Sequence, residues 1–173
     1  MEKGTKWLFI SLGVFTFGIV AGCSLGVKTA PEPLYNYFKS LASGEISART
    51  LAAVTSAGVW WLALFLSAFF RFGTVASSLT VAAKGFVDGF SVTAIFRILG
   101  FRGTGMCFFD CFGAPCTLLM AAMVMNFLCD SDESTSRFLI KSIILLVISL
   151  VAAALTSLVS GVITRAILTG MEF

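Results

Sequence analysis

The sequence predicts an all-α integral membrane bundle of about five transmembrane segments, forming a single membrane domain over residues 1–173. Three observations predict it. The chain is 58% hydrophobic and 12% charged, whereas soluble domains carry about 25% charged residues. Its mean hydropathy is +0.98. Its apolar runs recur near the length of about 20 residues that a helix needs to cross a bilayer. Together these runs use most of the 173 residues and leave no stretch for a separate soluble domain.

The first apolar run covers residues 7–27. Lys3 and Lys6 precede it, which favours a cytoplasmic N-terminus. Gly18, Gly22 and Gly26 lie four apart, on one helix face that lets another backbone approach closely. Small residues are also common in membrane helices for no specific reason, and that reading stands beside the first. Val20-Ala21-Gly22-Cys23 resembles a bacterial lipobox, which would be cut before Cys23 and lipidated there. More membrane follows it rather than a tethered soluble domain, which favours an uncut helix.

Residues 28–50 are the longest polar stretch. Pro31 and Pro33 stop the first helix. Leu34, Tyr37, Phe38 and Leu41 then recur at helical spacing, which fits an interfacial helix or a plain connecting loop. The second run, 51–70, has Trp60 and Trp61 near its middle. Tryptophan prefers the membrane interface, so the helix is expected to begin several residues after Leu51.

The third run, 72–96, places Lys84 and Asp88 at its centre, on one helix face. Gly85 and Gly89 follow them by one position. An unpaired charge at mid-membrane costs about 3 kcal/mol on insertion scales, so the two are expected to pair. The segment is either one span or a re-entrant hairpin broken at Lys84-Gly85, which needs protein or a wet cavity around it. The fourth run, 104–129, carries Asp110 and Pro115. The last, 138–168, is long for one span and is expected to tilt or protrude. With five straight spans Arg97 and Arg102 lie opposite the N-terminus; with a re-entrant third segment they share its side.

The function classes narrow from the same residues. A net charge of +3 with scattered basic residues gives no nucleic-acid footprint. There is no histidine, the commonest general base and metal ligand. Cys107, Cys111 and Cys116 lack the paired spacing of a metal site and read as core residues. Asp130, Asp132 and Glu133 lack the rest of a calcium loop and read as a solvated turn. No nucleophile-base pair or phosphate loop occurs. No enzyme activity, cofactor or metal is therefore expected. Lys84, Asp88 and Asp110 remain as intramembrane charges. Such groups mark ion or proton pathways or lock helices together. A bundle this small, without an internal repeat, favours the lock over a small transporter or channel.

One stretch carries a resemblance. Lys84-Gly85-Phe86-Val87-Asp88-Gly89-Phe90-Ser91-Val92, then Gly100-Phe101-Arg102-Gly103, then Pro115, resembles the stage II sporulation protein M family. A glycine-rich first helix, a polar loop with aromatic residues and a second span fall in matching places, so the resemblance reaches to about Cys129. Asp88 stands where that family has an apolar or small residue, and Cys116 where it often has an amide. The resemblance implies a multi-pass membrane scaffold of the engulfment machinery, in the mother-cell membrane of a spore-forming bacterium. It implies partners similar to stage II sporulation proteins P and D, which act on the cell wall. Membrane lipid is the other expected partner, and a homo-oligomer is a further option.

Overall fold

Runs rich in Leu, Val, Ala and Phe without internal proline close into α-helices, because in an apolar medium each backbone N–H and C=O must be satisfied within its own segment. The computed structural model describes residues 3–29, 46–105, 107, 113–129 and 134–169. They form α1 (Lys3–Lys28), α2 (Ile46–Ser67), α3 (Gly73–Leu99), a 3-10 turn (Gly100–Gly103), α4 (Ala114–Cys129) and α5 (Thr135–Thr169). No strand occurs among the described residues, and the chain is an all-α helical bundle. Helices α1, α2, α3 and α5 are long and apolar enough to cross a membrane. Hydroxyls within them bond back to their own helix: Thr16 to the Leu12 carbonyl at 2.8 Å, Ser24 to Val20 at 2.8 Å and Thr156 to Ala152 at 2.8 Å. Polar groups are thereby satisfied without leaving the segment.

Several contacts fix the direction of each helix. Gly18 faces Ala82 and Phe86, Gly22 faces Phe86 and Phe90, and Gly26 faces Thr93. The numbers rise together, so α1 and α3 are parallel. Helix α4 runs the other way. Its Met125 accepts a hydrogen bond from Ser11 of α1 at 3.8 Å, and its Leu128 abuts Gly73 at the start of α3. Helix α5 is antiparallel to α2. Phe138 stacks on Phe65 at 6.0 Å, the Trp61 indole donates to the Ser142 carbonyl at 3.1 Å, and Leu150 lies beside Gly58. Successive helices therefore alternate in direction. The starts of α1, α3 and α5 share one face of the bundle with the ends of α2 and α4.

The core sits around α4. This helix touches α1, α2, α3 and α5, and it buries Met120, Ala121, Val124 and Met125 almost completely. Leu64 and Ala68 from α2, Val81 from α3, Phe15 from α1 and Phe138 from α5 close around it. Trp61 stacks on Phe65 at 4.9 Å, within the range that aromatic pairs prefer, and Phe138 stacks on Phe127 more closely still, at 4.3 Å. Helices α1 and α5 lie on opposite flanks, and α5 turns outward an unbroken apolar face that includes Ile144, Val147, Val151 and Leu155.

One alternative is decided and three expectations change. Of the two forms open to the third segment, it takes the single helix: α3 runs unbroken for 27 residues through Lys84-Gly85, because α1 covers the glycines and Asp88 compensates Lys84. The fourth segment, expected over 104–129, contains α4 as a helix of only 16 residues. That is about 24 Å long, short of the roughly 30 Å hydrocarbon core. Pro115 is its second residue, where the missing N–H is harmless and the fixed φ favours a helix start. Helix α2 begins at Ile46, before Leu51 rather than after it. Trp60 and Trp61 are both half-buried, and the Trp61 indole N–H is satisfied by the Ser142 carbonyl of α5 rather than at an interface. Finally, the polar stretch expected over 28–50 is shorter at both ends, since Lys28 belongs to α1 and Ile46 to Thr50 to α2. Leu34, Tyr37, Phe38 and Leu41, the candidate interfacial helix, lie outside the described residues, as do Asp130, Asp132 and Glu133.

Two glycines are required by the backbone. Gly100 ends α3 at φ +57, a left-handed conformation that costs a side chain little only when there is none, and its N–H donates to the Phe96 carbonyl. Gly73 follows the tight turn between α2 and α3, where a Cβ would strike the Ser67 carbonyl oxygen and approach Leu128 to 2.7 Å.

Candidate functional site: the crossing of α1 and α3 and its ion pair

The tightest contact in the bundle is backbone against backbone. A Cβ on Gly18 would collide with the Ala82 carbonyl oxygen, and one on Gly22 with that of Phe86. The reverse also holds. A Cβ on Gly85 would collide with the Phe15 carbonyl oxygen, and one on Gly89 with that of Ile19. Each helix thus supplies the hollow for the other, and the two glycine faces occupy one another. A Cβ on Gly26 would come within 2.9 Å of the Thr93 Cβ, so here the hollow faces a side chain. Close approach of this kind gains dispersion contacts without a hydrophobic driving force, which is what association inside lipid requires.

Polar groups gather along the same seam. The Gly89 carbonyl accepts from Cys23 Sγ at 3.4 Å and from Thr93 Oγ1 at 2.9 Å. Phe90 packs its backbone against Gly22 and Gly26. At the end of the seam Arg97 Nη1 donates to the Gly26 carbonyl at 2.9 Å and also to the Thr29 carbonyl. Parallel helices bring two negative dipole ends together, and a cation there offsets them and satisfies the last carbonyls. Lys28, in the last turn of α1, adds to the same effect.

Lys84 and Asp88 lie on α3, one position from the glycine face. They form an ion pair through Asp88 Oδ1, and their side chains are 14% and 11% exposed. Asp88 Oδ2 is buried and has no hydrogen-bond partner among the described residues. Asp110 lies outside the described residues, so the structure does not place it with this pair. Of the three cysteines, Cys107 is buried with Sγ 3.9 Å from the Val92 carbonyl, Cys116 lies in the first turn of α4, and Cys111 is outside the described residues. The remaining motif residues fall apart from the seam. Gly100 and Gly103 form the turn after α3, and Pro115 starts α4.

Sequence reasoning found the glycines and the pair. It missed that the two glycine faces meet each other, and it missed the Arg97 bracket across the helix ends. The available signal was that Arg97 stands in the last turn of α3, just before a glycine cap, where a basic residue often bonds terminal carbonyls. The lipobox reading acquires a structural consequence. Helix α1 is continuous through Cys23, and cutting there would remove Gly18 and Gly22 together with their contact to α3.

Compared with family models, with curated proteins and with solved structures, the chain has no match.

The geometry gives a direct mutational contrast. Gly22→Ala places a methyl against the Phe86 carbonyl oxygen and is expected to destabilise by about 3 kcal/mol, the upper range of overpacking. Gly13 has nothing within 4 Å of its Cβ position, and Gly13→Ala is expected to stay within about 1 kcal/mol of the parent. Thermal unfolding of the detergent-solubilised variants reads both.

Proposed function

We propose that this chain is a non-enzymatic membrane scaffold or localisation factor in a bacterial cell membrane, of the kind that stage II sporulation protein M represents. On this reading it organises cell-wall-remodelling partners, similar to stage II sporulation proteins P and D, while the mother-cell membrane moves around the forespore. The observation that carries the reading is the place of the residues that bear the resemblance. Lys84 to Val92 form the part of α3 that locks to α1, so the shared motif corresponds to a packing function rather than to a reaction centre. The glycine faces are used up inside the molecule, which leaves the apolar flank of α5 for a partner's transmembrane helix or for lipid.

Deletion in the native host, followed by membrane-dye microscopy through sporulation, tests this. The expected outcome is a septum that forms and a membrane that fails to migrate. Normal engulfment removes the proposed role.

One observation favours a second reading. Asp88 Oδ2, buried and without a hydrogen-bond partner among the described residues, suits a small transporter or channel that passes an ion or proton by way of Lys84, Asp88 and Asp110. Paired substitutions separate the two. If the pair is structural, Lys84→Met or Asp88→Leu alone leaves a buried charge and costs about 3 kcal/mol. The double variant Lys84→Met/Asp88→Leu then recovers protein level and partner recruitment. If the pair transports, the double variant folds but stays inactive, and purified protein in vesicles shows a flux that Asp88→Asn abolishes.

A further inference from the structure

The alternating directions of the five helices decide which basic residues share a side. Lys3 and Lys6 lie in the first turn of α1, Arg71 lies in the turn between α2 and α3, and Arg137 and Lys141 lie in the first two turns of α5. All five belong to the face on which α1 starts. Lys28 ends α1, Lys39 stands in the stretch linking α1 to α2, and Arg49 is in the first turn of α2. Arg97 and Arg102 flank the end of α3, and Arg165 is near the end of α5. Lys28, Arg49, Arg97, Arg102 and Arg165 belong to the other face, and Lys39, outside the described residues, is counted with them because both ends of its connection lie there. Of the 12 Lys and Arg residues only Lys84 remains, and it is paired within the bundle.

Orientation in a membrane is set by the difference in Lys and Arg between the two sides, with acidic residues counting little. Here the sides stand at five and six. The first helix, which usually dominates, is nearly as even: Lys3 and Lys6 stand at its start, and Lys28, Lys39 and Arg49 stand at its end or before α2 is under way. All of these residues lie within reach of a helix end, in short connections, where the rule is strongest.

We propose that the chain inserts into its membrane in both orientations, so that two populations of opposite polarity coexist. The bundle itself is the same in each, because its contacts, the Arg97 bonds at the ends of α1 and α3 included, are all made within the chain. The proposal concerns insertion alone and does not rest on the scaffold reading.

Two fusions to the C-terminus of the full chain test it: a phosphatase active only outside the cytoplasm and a fluorescent protein that matures only inside. The expected result is comparable signal from both at matched protein level. Removing the two leading charges with Lys3→Ala/Lys6→Ala is expected to shift the population toward the phosphatase-silent orientation, with the other face in the cytoplasm. Signal from one fusion alone, unmoved by those substitutions, overturns the proposal. An independent measurement places a single cysteine at exposed Phe70 or at exposed Phe101, with the native cysteines replaced by alanine. A membrane-impermeant maleimide applied to intact cells is expected to label part of each. Full labelling of one and full protection of the other overturns the proposal equally.

Discussion

Backbone contact between α1 and α3 is the constraint on which the rest of this molecule depends. Lipid tails are as apolar as leucine, so two helices in a bilayer gain little by burying leucines against each other. They gain by approaching until main chains touch, and that is open only where side chains are missing. Gly18 and Gly22 on one helix and Gly85 and Gly89 on the other remove the side chains in register. Because each hollow receives the other helix's carbonyls, the register leaves little freedom to slide.

The consequences follow in order. Contact in this register makes the two helices parallel, so the chain must return across the bundle between them, and α2 makes that return. Parallel alignment puts two negative helix ends together, and Arg97 spans them. The charges of α3 must then lie within a packed bundle, and one turn of spacing lets Lys84 and Asp88 neutralise each other. Helix α4 fills the centre that these two and α2 leave open. Its short length and small, flexible side chains (Ala121, Ala122, Met120, Met125) suit a position with neighbours on every side. Helix α5 closes the aromatic stack at its start through Phe138 and then runs out along the flank with its apolar face uncovered.

Much of this could be read in the sequence. Composition and run length gave the helical class because the bilayer leaves few alternatives. Four-residue spacing gave the glycine faces and the ion pair because both depend only on the helical period. The points left open or misplaced share a cause as well. Whether α3 broke at Lys84-Gly85 depended on what covered Gly85, and a glycine's own sequence is silent about its neighbour. Trp60 and Trp61 suggested an interface because the Ser142 carbonyl that holds the Trp61 indole is 81 residues away. Pro115 was counted inside a span, although its ring suits the first turn of α4. Arg97 was treated as a topology marker, and its bond to α1 arises only once parallel packing brings the two helix ends together. In each case the periodic signal was local and the deciding contact was not.

The central claim is that α1 and α3 run parallel in the register set by their glycines, and disulfide trapping in native membranes tests it most directly. Gly26 and Thr93 are the pair to use, because a Cβ on Gly26 would lie 2.9 Å from the Thr93 Cβ, just inside the usual disulfide separation of about 3.5–4.5 Å, so a slight parting of the helices brings two thiols into bonding range. In a cysteine-free background, Gly26→Cys/Thr93→Cys is expected to cross-link within one chain under mild oxidation, while Gly26→Cys/Ser78→Cys is not. Cross-linking of Gly26→Cys with Ser78→Cys and none with Thr93→Cys would mean that the helices run antiparallel, and would contradict the account.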